Sequence, residues 1–167
     1  MVLGALASLV CALCIGQSAL APVLGHGAST RSKLAEAERR AALSPDDPGA
    51  LASLVDAYIE AREPGAALAA LGRAPAAVVT SPQLGQTASL AYLEAGDVPR
   101  SLAVARGALE RCADAACEPG DEARLRYRVL FTDALLEQGI VDPAADPVGA
   151  AGVARRTFRR ASLAASD

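Results

Sequence analysis

Ala57-Tyr58-Ile59-Glu60-Ala61 returns 34 residues later as Ala91-Tyr92-Leu93-Glu94-Ala95. Pro48 and Pro82 keep the same spacing, and Ala67-Leu68 aligns with Ser101-Leu102 in that register. A fixed period of this length marks an array of helical hairpins, in which each unit buries its apolar face only against its neighbours. Around the repeated stretch, Leu51, Leu54, Val55, Tyr58 and Ile59 fall at helical spacing behind Asp46-Asp47-Pro48. The acids lie near the positive end of the helix dipole, and Pro48 occupies a first-turn position that tolerates proline. Glu63-Pro64-Gly65 then turns the chain into a partner helix with Ala67, Leu68 and Leu71.

The second unit opens at Pro82, turns at Gly96-Asp97, and continues from Pro99 through Leu102, Ala105, Ala108 and Leu109. A third copy is displaced: Ala134-Leu135-Leu136-Glu137-Gln138-Gly139 matches Ala91 to Gly96 but lies 43 residues on. The extra residues fall around Cys112 to Asp121. Before the first unit, 31–43 reads as a helix with Leu34, Ala37, Ala41 and Ala42 on one face. After the last, Pro143 and Pro147 bracket a loop, and 148–164 can form a closing helix.

Composition agrees with an all-α fold. The 167 residues fit one domain; 52% are apolar and only 3% aromatic, so the interior must be built from small side chains at short helix–helix distances. The net charge of -3 supplies no basic surplus for nucleic acid, which is therefore not an expected partner. Lys33 is the single lysine among many arginines. With abundant Ala, Gly and Pro, that bias fits a GC-rich bacterial genome.

The chain resembles the tetratricopeptide repeat family. Leu43-Ser44-Pro45-Asp46-Asp47-Pro48-Gly49-Ala50-Leu51 is similar to its inter-repeat junction. Tyr58 and Tyr92 stand at its packing tyrosine, Gly96 at its turn glycine and Ala67 at its small helix-contact residue. The likeness is good over 31–111 and weaker to 161. Arg62 replaces the turn glycine, Ser101 the small alanine and Gly85 a bulky residue, departures that predict looser packing. The resemblance implies a right-handed α-solenoid of about three hairpins, with a concave face lined by the first helix of each pair and used to bind peptide segments. Both tyrosines are expected to be buried at equivalent places.

Residues 1–27 read as a separate segment ahead of a repeat domain over 28–167. Twenty residues, 2–21, carry no charge, about the length of a membrane-spanning helix. A secretory signal cut after Ala21 or Gly27, an uncleaved membrane anchor, and a hydrophobic helix packed on the repeats all remain open. The missing basic stretch ahead of the apolar run weakens the first two. Arg31, Lys33, Arg39 and Arg40 follow the segment and, by the positive-inside rule, would pull the domain toward the cytoplasm. Cys11 and Cys14 lack the small residue that precedes a lipidated cysteine. The expected place is the bacterial cell envelope, with cytoplasmic-side anchoring still open.

The search for chemistry is thin. His26 is the lone histidine, Lys33 reads as solvated, and Asp46, Asp47, Asp121 and Glu122 are explained by helix starts. No phosphate loop, nucleophile elbow or zinc spacing occurs, so neither an enzyme nor a cofactor or metal is expected. Cys11 and Cys14 form a C-x-x-C inside an apolar run and read as small apolar residues. Cys112 and Cys117 flank a turn and can either form a disulfide or stay as two thiols. Glu60, Glu94 and Glu137 fall at equivalent places, with Asp56 and Asp133 one turn earlier and Leu90 interrupting. With Ile59, Leu93 and Leu136 they make the expected partner-binding face: an acidic column suited to a basic protein segment, short of cations apart from Arg126. Arg155, Arg156, Arg159 and Arg160 form a basic face on the last helix. The leading expectation is a protein–protein interaction module, an adaptor or assembly factor. The alternative is a structural subunit of a membrane complex, embedded by its first helix and braced by its repeats.

Overall fold

The computed structural model describes residues 28–114, 117 and 119–164, and all its regular structure there is helical. Eight helices follow in order among the described residues: α1 (28–43), α2 (Pro48–Glu60), α3 (Pro64–Arg73), α4 (Ala76–Val79), α5 (Pro82–Glu94), α6 (Val98–Asp114), α7 (Pro119–Glu137) and α8 (Pro147–Ala164). The expected signal, anchor or hydrophobic helix in 1–27 lies outside the described residues. No described helix is long and apolar enough to cross a membrane.

Local chemistry sets the helix ends. The Asp47 carboxylate accepts from the Gly49 N–H at 2.9 Å and caps α2, with Pro48 in its first turn. Asp97 accepts from the Arg100 N–H at 3.0 Å at the start of α6, and Asp146 from the Gly149 N–H at 2.9 Å at the start of α8. At their C-terminal ends α2, α5 and α7 share one device. Glu63, Asp97 and Ile140 each donate a backbone N–H to the carbonyl five residues back, on Tyr58, Tyr92 and Leu135, each at 2.9 Å. The residue before each donor has a left-handed backbone: Arg62 at φ 63°, Gly96 at 79° and Gly139 at 71°. This is the Schellman arrangement, which favours glycine at that position because a side chain there crowds the backbone. Arg62 accepts the strain.

Successive helices pack on one another: α2 on α3 and α5, α5 on α3, α4, α6 and α7, α6 on α7, and α7 on α8. The first core gathers Ala37 of α1, Leu51, Leu54 and Val55 of α2, Ala67 and Leu71 of α3, Val78 of α4, and Leu84, Ala88 and Ala91 of α5. A second gathers Leu93, Val98, Leu135, Ile140, Ala150 and Val153, and a third Ala108, Cys112 and Leu125. Full burial of a leucine such as Leu84 is worth about 1.5–3 kcal/mol, so these three clusters supply the main driving force.

Several expectations need correcting here. Helix α1 is already helical at 28, the first described residue, ahead of the expected 31, and Ala42 is exposed while Leu34, Ala37 and Ala41 face the core. The loop between Pro75 and Pro82 contains a one-turn helix, α4, held inward by buried Val78. Tyr58 and Tyr92 are half-buried, not buried. Tyr92 lies between residues of α3 and α6, while Tyr58 packs against the first core and its hydroxyl donates to Glu38 Oε1 of α1 at 2.9 Å. That bond holds the proton, and with partial burial it pushes the phenol above its usual pKa.

Two of the three departures expected to loosen the packing, Gly85 and Ser101, instead lie in a close α5–α6 contact. Gly85 is buried, and a Cβ there would overlap the Ala108 methyl, so its bare backbone is what lets the two helices approach. One turn on, Ser89 and Ser101 are fully buried and clasp each other. Their hydroxyls lie 3.0 Å apart, Ser89 Oγ donates to the Ser101 carbonyl at 3.0 Å, and Ser101 Oγ donates to the Ser89 carbonyl at 2.8 Å.

Candidate functional site

Helices α2, α5 and α7 carry the acids and apolar residues expected to form a partner-binding face. The apolar members are largely spent on the fold. Leu93 is buried in the second core and offers a partner nothing. Leu90 and Leu136 are half-buried against that core, and Ile59 against the first. The large residue before each of these glutamates is therefore used in or against a core.

The acids are not a free column either. Glu60 Oε2 lies 3.2 Å from Lys33 Nζ of α1, so Lys33 is paired as well as exposed. Glu94 Oε2 lies 3.8 Å from Arg62 Nη1, and Asp133 Oδ2 lies 2.6 Å from Arg106 Nη2 of α6. All these groups are substantially exposed, so each pair contributes about 0–1 kcal/mol. Asp56 has Thr87 of α5 nearby, a neighbour that favours its ionised form. Partial burial raises its pKa and nearby Glu60 raises it further, while Thr87 opposes both. Glu137 shares a small pocket with Arg156, Thr157 and Arg160 of α8. Two members of the C-terminal arginine face thus lie near an acid of the expected column.

Arg126, the cation expected near this face, pairs with none of its acids. Arg126 is taken up on its own helix by Glu122 at 2.6 Å. Arg128 lies in the field of Glu94 instead, and burial lowers its guanidinium pKa while Tyr127 and Glu94 oppose the shift. Its Nε is shut off from water without a hydrogen-bond partner. Arg128 lines an open cavity of about 500 Å³ with Gln86, Arg124, Tyr127 and Phe158. Phe158 is 66% exposed, and Tyr127 stacks on Phe131 with ring centroids 6.1 Å apart. Sequence reading missed this cluster, because its residues come from α5, α7 and α8 and share no period. The exposed aromatic on the arginine-rich last helix was the only signal for it.

Cys112 and Cys117 are joined by a disulfide, with Cα atoms 5.0 Å apart. It ties the end of α6 to the residues that lead into α7. Among the described residues no group of three or more His, Cys, Asp or Glu could hold a metal ion. The fold and this face define an all-helical protein of successively packed helices with a mixed-charge surface on α2, α5 and α7. Compared with family models, with curated proteins and with solved structures, the chain matches none.

Proposed function

We propose that this chain is a small interaction module of the tetratricopeptide kind, an α-solenoid of about three hairpins that holds a segment of a partner protein against α2, α5 and α7. The observation that carries the reading is the identical C-terminal cap at Arg62, Gly96 and Gly139. In the first two units the same cap is followed by the same three-residue connection to the next helix, 61–63 and 95–97, which is what a repeated hairpin requires; the third has the cap with a longer loop. Exposed Glu60, Glu94 and Glu137 favour a basic segment, and the cavity beside Arg128, Tyr127 and Phe158 can seat an apolar or acidic residue of it. Because Lys33 and Arg62 already occupy two of the glutamates, a basic partner would have to displace them. Charge here tunes specificity and association rate more than affinity. The proposed setting is the bacterial cell envelope, with residues 1–27 as export signal or tether.

Photocrosslinking in cells tests the face. A crosslinkable residue at Glu60 or Glu94 should capture one and the same partner, and one at exposed Ala69 on α3 should not. Equal capture at Ala69, or none at Glu60 and Glu94, rejects the reading. Cell fractionation with mass spectrometry of the N-terminus tests the setting, and an intact chain found only in the cytosol rejects it.

A further inference from the structure

Two cavities each carry an arginine whose Nε is buried without a hydrogen-bond partner. One is the Arg128 cavity described above. The other, of about 440 Å³, is built from α3, α4, α5 and α6 and shares no residue with the proposed partner-binding face. We propose that this second cavity binds a medium-chain fatty acid, with the aliphatic chain among its apolar walls and the carboxylate on Arg111.

The walls are mostly aliphatic. Leu68 and Leu71 come from α3, Val79 from α4 and Val104 from α6, and Tyr92 of α5 supplies the one ring. The volume falls within the range of small-molecule sites, which are mainly apolar with a few placed polar groups. Arg111 is the one charged residue of the lining. Among the described residues no carboxylate pairs with it. Eight of the chain's other cations, from Lys33 to Arg126, do have a carboxylate partner. An unmet guanidinium donor at low exposure is costly, and a carboxylate is the acceptor whose geometry matches its fork. The Arg111 side chain lies back along α6 over Gly107, where an added Cβ would come 3.3 Å from Arg111 Nη1. One cation beside an aliphatic chamber fits a ligand with one anionic end and a hydrocarbon body. A phosphate or a polyanion would leave the walls unused.

Isothermal titration with decanoate, kept below its micelle range, should give one saturable site. Decanol and decylamine should bind at least about tenfold more weakly, as expected for loss of a charge-assisted hydrogen bond. Arg111→Gln should weaken decanoate by about tenfold or more and leave decanol unchanged. Gly72→Leu, at a helix position where an added Cβ meets nothing, should close the cavity to decanoate with the fold intact by circular dichroism. The proposal is overturned if decanoate shows no saturable binding, if decanol binds as well as decanoate, or if Arg111→Gln binds decanoate like the parent. Should Arg111→Gln fail to fold, Gly72→Leu decides alone, and undiminished decanoate binding by it overturns the site. A short leucine-ended peptide that binds more tightly than decanoate would assign the cavity to protein chain ends and also overturn it.

Discussion

Replacing Gly85 by alanine separates two opposite expectations. In a helix interior alanine is favoured over glycine by about 1 kcal/mol, so an unconstrained Gly85→Ala would stabilise the chain by roughly that amount. The structure reverses the sign. The new methyl would overlap the Ala108 methyl, with Ala108 Cα only 3.5 Å away and Leu125 Cδ2 at 3.9 Å. Ala108 is fully buried, and its Cβ has no torsion by which to move aside. The α5 and α6 backbones must therefore separate, which also strains the Ser89–Ser101 clasp one turn along. Overpacking of this kind costs about 1–3 kcal/mol. A clash against rigid backbone belongs at the upper end, so the net loss should be about 1–2 kcal/mol once propensity is set against it. Urea unfolding followed by far-UV circular dichroism reads that loss directly. Gly72→Ala is the matched control, since a Cβ there meets nothing, and it should be neutral to stabilising. The double variant Gly85→Ala/Ala108→Gly moves the methyl to the other helix and should show a coupling of about 1 kcal/mol or more. A Gly85→Ala chain as stable as the parent, or a double variant with additive losses, would refute the close approach.

Three further outcomes are expected. Arg62→Gly should stabilise by about 0.5–1 kcal/mol, because relief of about 1–2 kcal/mol at its left-handed backbone exceeds the added chain entropy of glycine; an unchanged urea midpoint would deny the strain. Ser101→Ala should cost about 1 kcal/mol, while Ser89→Ala/Ser101→Ala together should cost no more than the single change, since removing both hydroxyls leaves no orphaned partner; thermal melts of both variants read the difference. Asp56→Asn should raise the melting temperature at neutral pH. The folded pKa of Asp56 lies above the ordinary 3.8, so the folded state binds its proton more tightly and stability falls as pH rises through the folded value. The gain from Asn should therefore vanish below pH 3.8, and a gain that persists there would deny the burial cost.

Much of the backbone plan could be read from the sequence, and the charge plan could not, for one physical reason. The 34-residue spacing links the left-handed caps at Arg62 and Gly96, and the matching stretch 43 residues further on marks the third at Gly139, because such a cap needs glycine or a tolerated exception. Those signals are local. The ion pairs are not: Lys33 reaches Glu60 and Arg106 reaches Asp133 across 27 residues, and none of these cations recurs at the period. Gly85 and Ser101 read as weak points when compared one position at a time. Once Ala108 and Ser89 stand opposite them, they explain how α5 and α6 come so close. Glu60, Glu94 and Glu137 show the same limit from the other side. They hold equivalent positions, yet Glu60 pairs with Lys33, Glu94 pairs with Arg62, and Glu137 only shares a pocket with Arg156 and Arg160, because each neighbour belongs to a segment with its own sequence. In this chain the turns and the apolar spacing recur while the charged neighbours do not. The charge of this surface is therefore set by what packs beside each acid: Glu60 and Glu94 are already met by cations, whereas Arg128 keeps a buried Nε without a hydrogen-bond partner.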